Sequence, residues 1–425
     1  MQNTPVIDPG SDVPQIAGQN PAKFRRMLRA LQHRNYRLFF GGQLVSLVGT
    51  WMQMVAQPWL VYRLTGSSLL LGSVGFASQI PVLLLAFIGG TVADRYDRHK
   101  VVIATQTVAM IQALILALLT LSGTVRIWHI FVLAAMLGIV NAFDMPARQA
   151  FVVELVRKED LLNAIALNST LFNGARVLGP AVAGVLIAGI GEGWCFFGNS
   201  LSFLAVIGGL LLMRLDHGAP VASRSSGISE LLEGFRFVRG TGSIRNVLML
   251  LGLVSLVGTP YSVLMPIFAD SILHGGSRGL GILMGSTGLG AVGGAIMLAA
   301  RSSSRGLQKL IALASAGFGV SLILFSASRS FWLSALFLVP VGFSFMLQMA
   351  STNTMIQLMV PDNLRGRVMA VHTTIFMGMA PFGSFLAGII AENVGAPLAV
   401  ALGGVCCLAG SALFSIWGSS ASLPK

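Results

Sequence analysis

Charge is scarce in this 425-residue chain: 10% of residues are charged and 54% are hydrophobic. Soluble domains carry about a quarter charged residues. The uncharged stretches are long, about twenty residues each, which is the length that spans a bilayer as helix. A spanning β-barrel would show short alternating segments instead. Cysteine is scarcer still. Cys195, Cys406 and Cys407 all fall in apolar runs without metal or redox spacing, so they read as buried thiols. Acids are missing from the middle of every run. There is no His-Glu-x-x-His, no buried acid pair and no Gly-x-x-x-x-Gly-Lys-[Ser/Thr] phosphate loop. These absences argue against an enzyme and against ATP-driven transport by this chain alone, and they imply neither cofactor nor metal. No short apolar run near the start precedes a small-residue cleavage site, so no secretory signal is expected.

What is present is an all-α integral membrane pattern. Twelve runs span approximately 38–62, 69–92, 101–123, 128–147, 163–189, 194–213, 246–268, 279–300, 307–328, 331–356, 368–391 and 396–417. The 50 glycines suit helices that pack closely in lipid. Residues 1–20 read as a disordered polar tail. Residues 22–37 interleave Lys23, Arg25, Arg26, Arg29, Arg34 and Arg37 with apolar residues, which predicts a basic amphipathic helix on the lipid surface or a solvated basic tail. The domain division is a tail at 1–37, six helices in 38–213, a polar linker at 214–245, six helices in 246–417, and a tail at 418–425. Within the linker, 228–238 has helical periodicity.

The net charge of +13 is distributed as a membrane protein distributes it, and nucleic acid is not implied. With the N-terminus placed inside, 23 of the 28 Lys and Arg fall on the inner side and four on the outer: Arg63, Arg126, Arg278 and Arg329. The positive-inside rule then predicts a multi-pass inner-membrane protein with both termini cytoplasmic. The chain also repeats itself. LVSLVGT occurs at Leu44–Thr50 and, identically, at Leu253–Thr259, 209 residues on. Farther along the offset is 204: Thr170, Phe172, Gly174, Gly179, Gly184 and Gly191 match Thr374, Phe376, Gly378, Gly383, Gly388 and Gly395. Two parallel six-helix halves facing each other suit rocking about a central site.

The turn after the second run reads GGTVADRYDRHK from Gly89 to Lys100. Gly90 permits close backbone approach, and Asp94 can pair with Arg98 or with another helix. This stretch resembles the major facilitator signature G-x-x-x-D-R-x-G-R-[KR], with Asp97 in place of the second Gly. The resemblance implies that Gly90, Asp94, Arg95 and Arg98 form a latch. In it, Asp94 anchors the second helix to the other half in the outward-open state and shares a charge relay with Arg98 and an acid on helix 4, by position Asp144. A plain interfacial Asp144 satisfied by Arg148 is the alternative. Arg365 and Arg367, in the corresponding turn of the second half, are expected to brace the latch or to be a basic turn. Asp94→Asn is expected to impair transport more than Asp97→Asn.

Arg176 lies thirteen residues past Asn163, about 20 Å along the fifth helix. An Arg near the midplane is costly by several kcal/mol unless paired or wet. It either binds an anionic or polar-headed substrate, with Asn173 one turn away, or is structural. Gly179 and Pro180 in the same helix predict a bend and resemble the helix-5 motif of antiporter-type exporters. Gln53, Gln57, Tyr261 and Gln348 are further cavity candidates, or interhelical glue. The segments 49–68, 89–100, 144–156, 166–184 and 365–370 resemble the enterobactin-exporter and macrolide-efflux branch of the superfamily. That resemblance implies export of small amphipathic siderophores or drugs, with protons as the expected coupling ion through Asp144 or His372. A lipid or lysolipid flippase of the same fold and a non-transporting receptor or scaffold are the competing readings.

Overall fold

The structure is a computed structural model that describes residues 28–215, 228–301, 303 and 305–418. The expected polar tail, Lys23 to Met27 of the basic segment, the linker stretch containing Arg224, and the tail from 419 lie outside the described residues. Twelve helices are long and apolar enough to cross a membrane. In the first half they are α1 Arg34–Thr65, α2 Ser68–Arg95, α3 Arg98–Leu121, α4 Ile127–Glu154, α5 Leu161–Ile190 and α6 Glu192–Leu211. In the second they are α7 Gly242–Ile272, α8 Gly276–Ala299, α9 Leu307–Ala327, α10 Phe331–Met359, α11 Asp362–Val394 and α12 Ala396–Gly418. Among the described residues there is no strand. The start of α1, the α2–α3 turn and the linker share one end of the bundle, the basic end; opposite it is the far end.

The repeat is visible as symmetric packing. Between the halves, α2 lies on α11 and α5 lies on α8. A Cβ on Gly72 would sit 2.9 Å from the Gly388 Cα, and one on Gly184 would sit 2.9 Å from the Gly281 Cα. Gly72 and Gly281 are 209 residues apart, and Gly184 and Gly388 are 204 apart, so the two contacts are copies of each other. Small residues let these backbones approach without side chains between them. On the far-end axis the Tyr62 hydroxyl meets that of Ser271, its own counterpart at the 209 offset. Contacts between the halves continue to Leu83 against Gly378 and to Arg176 against Gly288. Those positions lie near the middles of their helices. The halves are thus closed from the far end to mid-depth.

Two local differences from the sequence reading have physical causes. The basic segment does not form one surface helix in its described part. Residues Arg29–Gln32 make a 3-10 turn and α1 begins at Arg34. Asp160 holds that turn through Arg29 Nε at 2.8 Å and His33 Nε2 at 2.8 Å, and the Ala30 amide donates to Asn163 Oδ1. The second difference is in α7. Its copy of LVSLVGT is a π-turn over Val254–Gly258 followed by a 3-10 turn over Thr259–Ser262, whereas the copy in α1 is regular helix. Pro260 follows the second copy and Trp51 the first. Proline has no N–H to give the Leu256 carbonyl, and its ring crowds that carbonyl, so the helix widens there.

The linker helix Ile228–Gly240 docks on α11. Glu233 pairs with Arg367 at 2.8 Å, and the Gly234 backbone closes on the Arg367 carbonyl.

Candidate functional site

Arg176 projects midway along α5, between the halves. Its guanidinium carbon lies 5.9 Å from the centre of the Trp51 ring on α1. Trp51 is fixed in turn: Phe172 meets it edge-on at 5.5 Å, and Gly179 packs against its Cβ. A cation over an indole face gains roughly 0.5–2 kcal/mol. Among the described residues Arg176 has no carboxylate partner. From the other half, Tyr261 is buried on α7, and Thr287 of α8 donates to the Leu283 carbonyl of its own helix at 3.2 Å. Tyr261 stands in the irregular part of α7 and begins an aromatic row through Phe318 at 6.2 Å, Phe345 at 5.7 Å and Phe376 at 6.3 Å. Pro180 lies within continuous helix, and its carbonyl faces Gly281.

The remaining polar candidates separate. Asn173 turns back to the Ser169 carbonyl at 2.8 Å. Gln57 is half-buried and makes no side-chain hydrogen bond among the described residues. Gln53 does not face the space between halves. It is 3% exposed, donates to Gln112 at 3.1 Å and accepts from Asn199 at 2.7 Å, which ties α1 to α3 and α6. Gln348 and His372 are buried in the second half, and Gln348 has both amide atoms unpartnered.

Asp144 is 2% exposed and fully engaged: Arg148 at 3.0 Å, Thr105 at 2.9 Å and Gln106 at 2.8 Å. It is therefore the interfacial acid satisfied by Arg148, and it does not pair with Arg98. The acid facing Arg98 is Glu154, at 2.5 Å, while Arg98 Nε donates to the Ala93 carbonyl. Asp94 makes no ion pair or hydrogen bond among the described residues, and Arg95 is exposed. A Cβ on Gly90 would meet nothing within 4 Å, whereas Gly89 packs on the Ala142 carbonyl. Among the described residues, neither Asp94 nor Gly90 touches the opposing half. Arg365 pairs with Asp362 on its own first turn at 2.5 Å, and Arg367 holds the linker helix, so neither braces the α2–α3 turn.

Asp97 has a local task. Its carboxylate accepts from the amides of His99 at 3.0 Å and Lys100 at 3.4 Å, so it caps the N-terminus of α3. This accounts for an acid where the signature has glycine. Asn can make the same cap. Asp97→Asn is expected to leave the melting temperature in detergent unchanged, while Asp97→Ala loses about 1 kcal/mol. Equal losses in both variants would assign the role to the charge instead.

Two acids escape the sequence reading. Glu392 of α11 accepts at the start of α2 from Ser67 Oγ at 3.1 Å and the Leu69 amide at 3.0 Å, so it bridges the halves at the far end. Glu192 is buried there against Arg63. Glu392 ends an apolar run with no basic residue nearby in sequence, which is the available signal.

Twelve spanning helices in two repeat-related halves define a major facilitator transporter, and not an enzyme. The chain belongs to the family described as transmembrane secretion effector, which matches residues 27–419. It is 26% identical over 363 residues to the staphyloferrin A transporter of Staphylococcus aureus (strain NCTC 8325 / PS 47), covering 84% of this chain and 90% of that one. It is 29% identical over 368 residues to the multidrug efflux pump Tap of Mycolicibacterium fortuitum, covering 83% and 88%. It is 25% identical over 342 residues to the enterobactin exporter EntS of Shigella boydii serotype 4 (strain Sb227), covering 80% and 81%. The nucleoside transporter NupG superposes with a TM-score of 0.70 at 14% identity, over 91% of this chain and 99% of that one. A bacterial homologue of the lysosomal transporter Spinster, inward-facing and unoccupied, gives 0.62 at 15%, over 95% and 96%. These two likenesses speak to the fold.

Proposed function

We propose that this chain exports small amphipathic molecules with an anionic or polar head, of the siderophore or drug kind, by alternating access in exchange for protons. The basic end faces the cytoplasm of an inner membrane, in keeping with the positive-inside rule, and the contacts between the halves at the far end and at mid-depth support a state closed on the opposite side. The observation that carries the reading is Arg176: a cation at mid-depth, between the halves, stacked on Trp51 and without a carboxylate partner among the described residues. Such a charge needs a counter-group, and a substrate anion supplies one. The far-end contacts between the halves lie to one side of it. Rocking the halves would move the opening from one side of Arg176 to the other.

The test is transport by the full chain in proteoliposomes, with staphyloferrin A, enterobactin, cationic drugs and lysolipids as probes. Arg176→Ala is expected to lower transport of anionic probes by about ten- to a hundredfold, the value of a charged hydrogen bond. Arg176→Lys retains part of it. Unchanged movement of every probe would remove Arg176 from the site, and movement of lysolipid alone would make the protein a flippase.

A further inference from the structure

The second half contains a cluster of buried polar atoms that the site above does not use. Ser315, Gln348, Ser351 and Thr352 are all 0% exposed and His372 is 4% exposed. Among the described residues, Ser315 Oγ, both amide atoms of Gln348, Ser351 Oγ, Thr352 Oγ1 and His372 Nε2 have no hydrogen-bond partner. Buried polar atoms are nearly always paired, and in lipid the penalty for leaving them unpaired is larger still. Their adjacency follows from the aromatic row. Phe318, Phe345 and Phe376 touch in sequence. Ser315, Gln348 and His372 each lie three or four residues from one of these rings, on the same helix face and toward the basic end. Ser351 and Thr352 follow on the next turn of α10.

The repeat explains what this place is. Gly138 packs on the Ser78 carbonyl and Gly342 on the Thr287 carbonyl. The glycines differ by 204 positions and the carbonyls by 209, so α4 and α10 are in register. In that register Asp144 corresponds to Gln348, Arg148 to Thr352, Gln106 to Ser315, and Gln43 to Gly252. The first half fills this position with a built-in cation, Arg148, held by Asp144 and Gln43 Oε1 at 3.3 Å. The second half keeps neutral acceptors and lacks the cation. It adds one titratable group, His372, whose counterpart Asn168 is exposed.

We propose that this cluster is the proton site of the transport cycle, with the lone pair of His372 Nε2 taking the proton and later returning it to water. The proposal rests on the exporter reading above. Proton uptake makes an imidazolium with one positive charge, and release restores the neutral ring. None of these groups bonds Nε2 in the structure; hydroxyls and the Gln348 amide can each donate or accept, so either protonation state would be met by rotation of the same groups toward the ring. Nothing compensates the charge permanently, as Asp144 compensates Arg148, so the proton can leave. Among the described residues no charged side chain bonds the imidazole, and Lys309 of α9 lies six residues before Ser315, toward the basic end. α10 carries no charged residue between Phe331 and Met359. On α11 and the linker helix, Arg365 pairs with Asp362 and Arg367 with Glu233, toward the basic end, while Arg236 and Arg239 are on the exposed linker side. Arg245 begins α7, Tyr261 and Asp270 lie farther along it, Cys406 and Cys407 are on α12, and Asp94 and Arg95 end α2. The aromatic row connects the cluster to Tyr261 on α7.

Two measurements on the full chain decide the matter. Histidine hydrogen–deuterium exchange reads the protonation of His372 itself, without any substrate. The expected result is a change of protonation with pH, with its midpoint moved in Thr352→Val and Gln348→Met. No change of protonation over the pH range in which the protein stays folded, or midpoints indifferent to both variants, would overturn the proposal. The second measurement is export of staphyloferrin A and enterobactin driven by a pH gradient in proteoliposomes. His372→Gln is expected to lose the gradient dependence while still exchanging probe down its own gradient. Gradient-driven export that survives in His372→Gln overturns the proton site and leaves the exporter reading intact. A His372 that titrates in a protein moving no probe overturns the exporter reading and leaves the proton site standing.

Discussion

Arg148→Ala is expected to destabilise the first half by about 3–5 kcal/mol, the loss measured when one partner of a buried ion pair is removed. The reason is the difference in burial between the partners. The Asp144 side chain is 3% exposed and the Arg148 side chain 29%. Without Arg148 the carboxylate keeps Thr105 and Gln106 as donors but has no counter-charge and no route to water. Asp144→Asn is milder, because the long Arg148 side chain can reach the interface with its charge. The double variant Asp144→Asn/Arg148→Gln should recover most of the stability, since neither charge remains buried. Thermal unfolding of the purified protein in detergent checks the order. Equal stability of Arg148→Ala and the parent would mean that the pair is idle and that Asp144 is free for another role.

Gly72→Leu is expected to prevent closure of the far end. Its side chain would enter the space held by the Ser384 carbonyl and by the Gly388 backbone at 2.9 Å, both on the opposite half. The clash exists only when the far ends are together, so the substitution acts on one state. Overpacking of this kind costs about 1–3 kcal/mol, which moves a two-state equilibrium by about 5- to 150-fold. With the native cysteines removed, a cysteine at position 384 should react faster with an impermeant maleimide from the far side in the Gly72→Leu background. Transport should fall with it. An unchanged labelling rate would show that this contact does not govern the far-end opening. Gly281→Leu, its repeat-related partner, should behave alike.

Much of this architecture is legible in the chain itself. The span count follows from run length and the spacing of arginines, and the two halves follow from LVSLVGT and the matched glycines. Arg176 is legible because charge at mid-depth is rare. What is not legible is direction around each helix. Gln53 and Gln57 are one turn apart in the same apolar run, yet Gln53 is bonded inside the first half and Gln57 is not. The break in α7 can be read from Pro260, but the identical heptapeptide suggests identical helix. Asp97, where the signature has glycine, leaves two acids facing Arg95, Arg98 and Lys100, so the sequence does not say which serves the latch. The backbone instead turns there, and its carboxylate caps α3. Glu154 is hard to find as the partner of Arg98 because 56 residues separate them, and contacts across α3 and α4 leave no mark in the local pattern.

Leu44–Thr50 and Leu253–Thr259 place the same seven side chains on two different backbones. Side-chain chemistry therefore cancels between them, and what remains is the shape of the main chain. The regular copy in α1 is a strut. The widened copy in α7, loosened at Leu256 by Pro260, is a joint, and the row from Tyr261 to Phe376 is attached at that joint. Two halves built on one repeat thus differ where their sequences agree: regular helix in the first and a widened turn in the second.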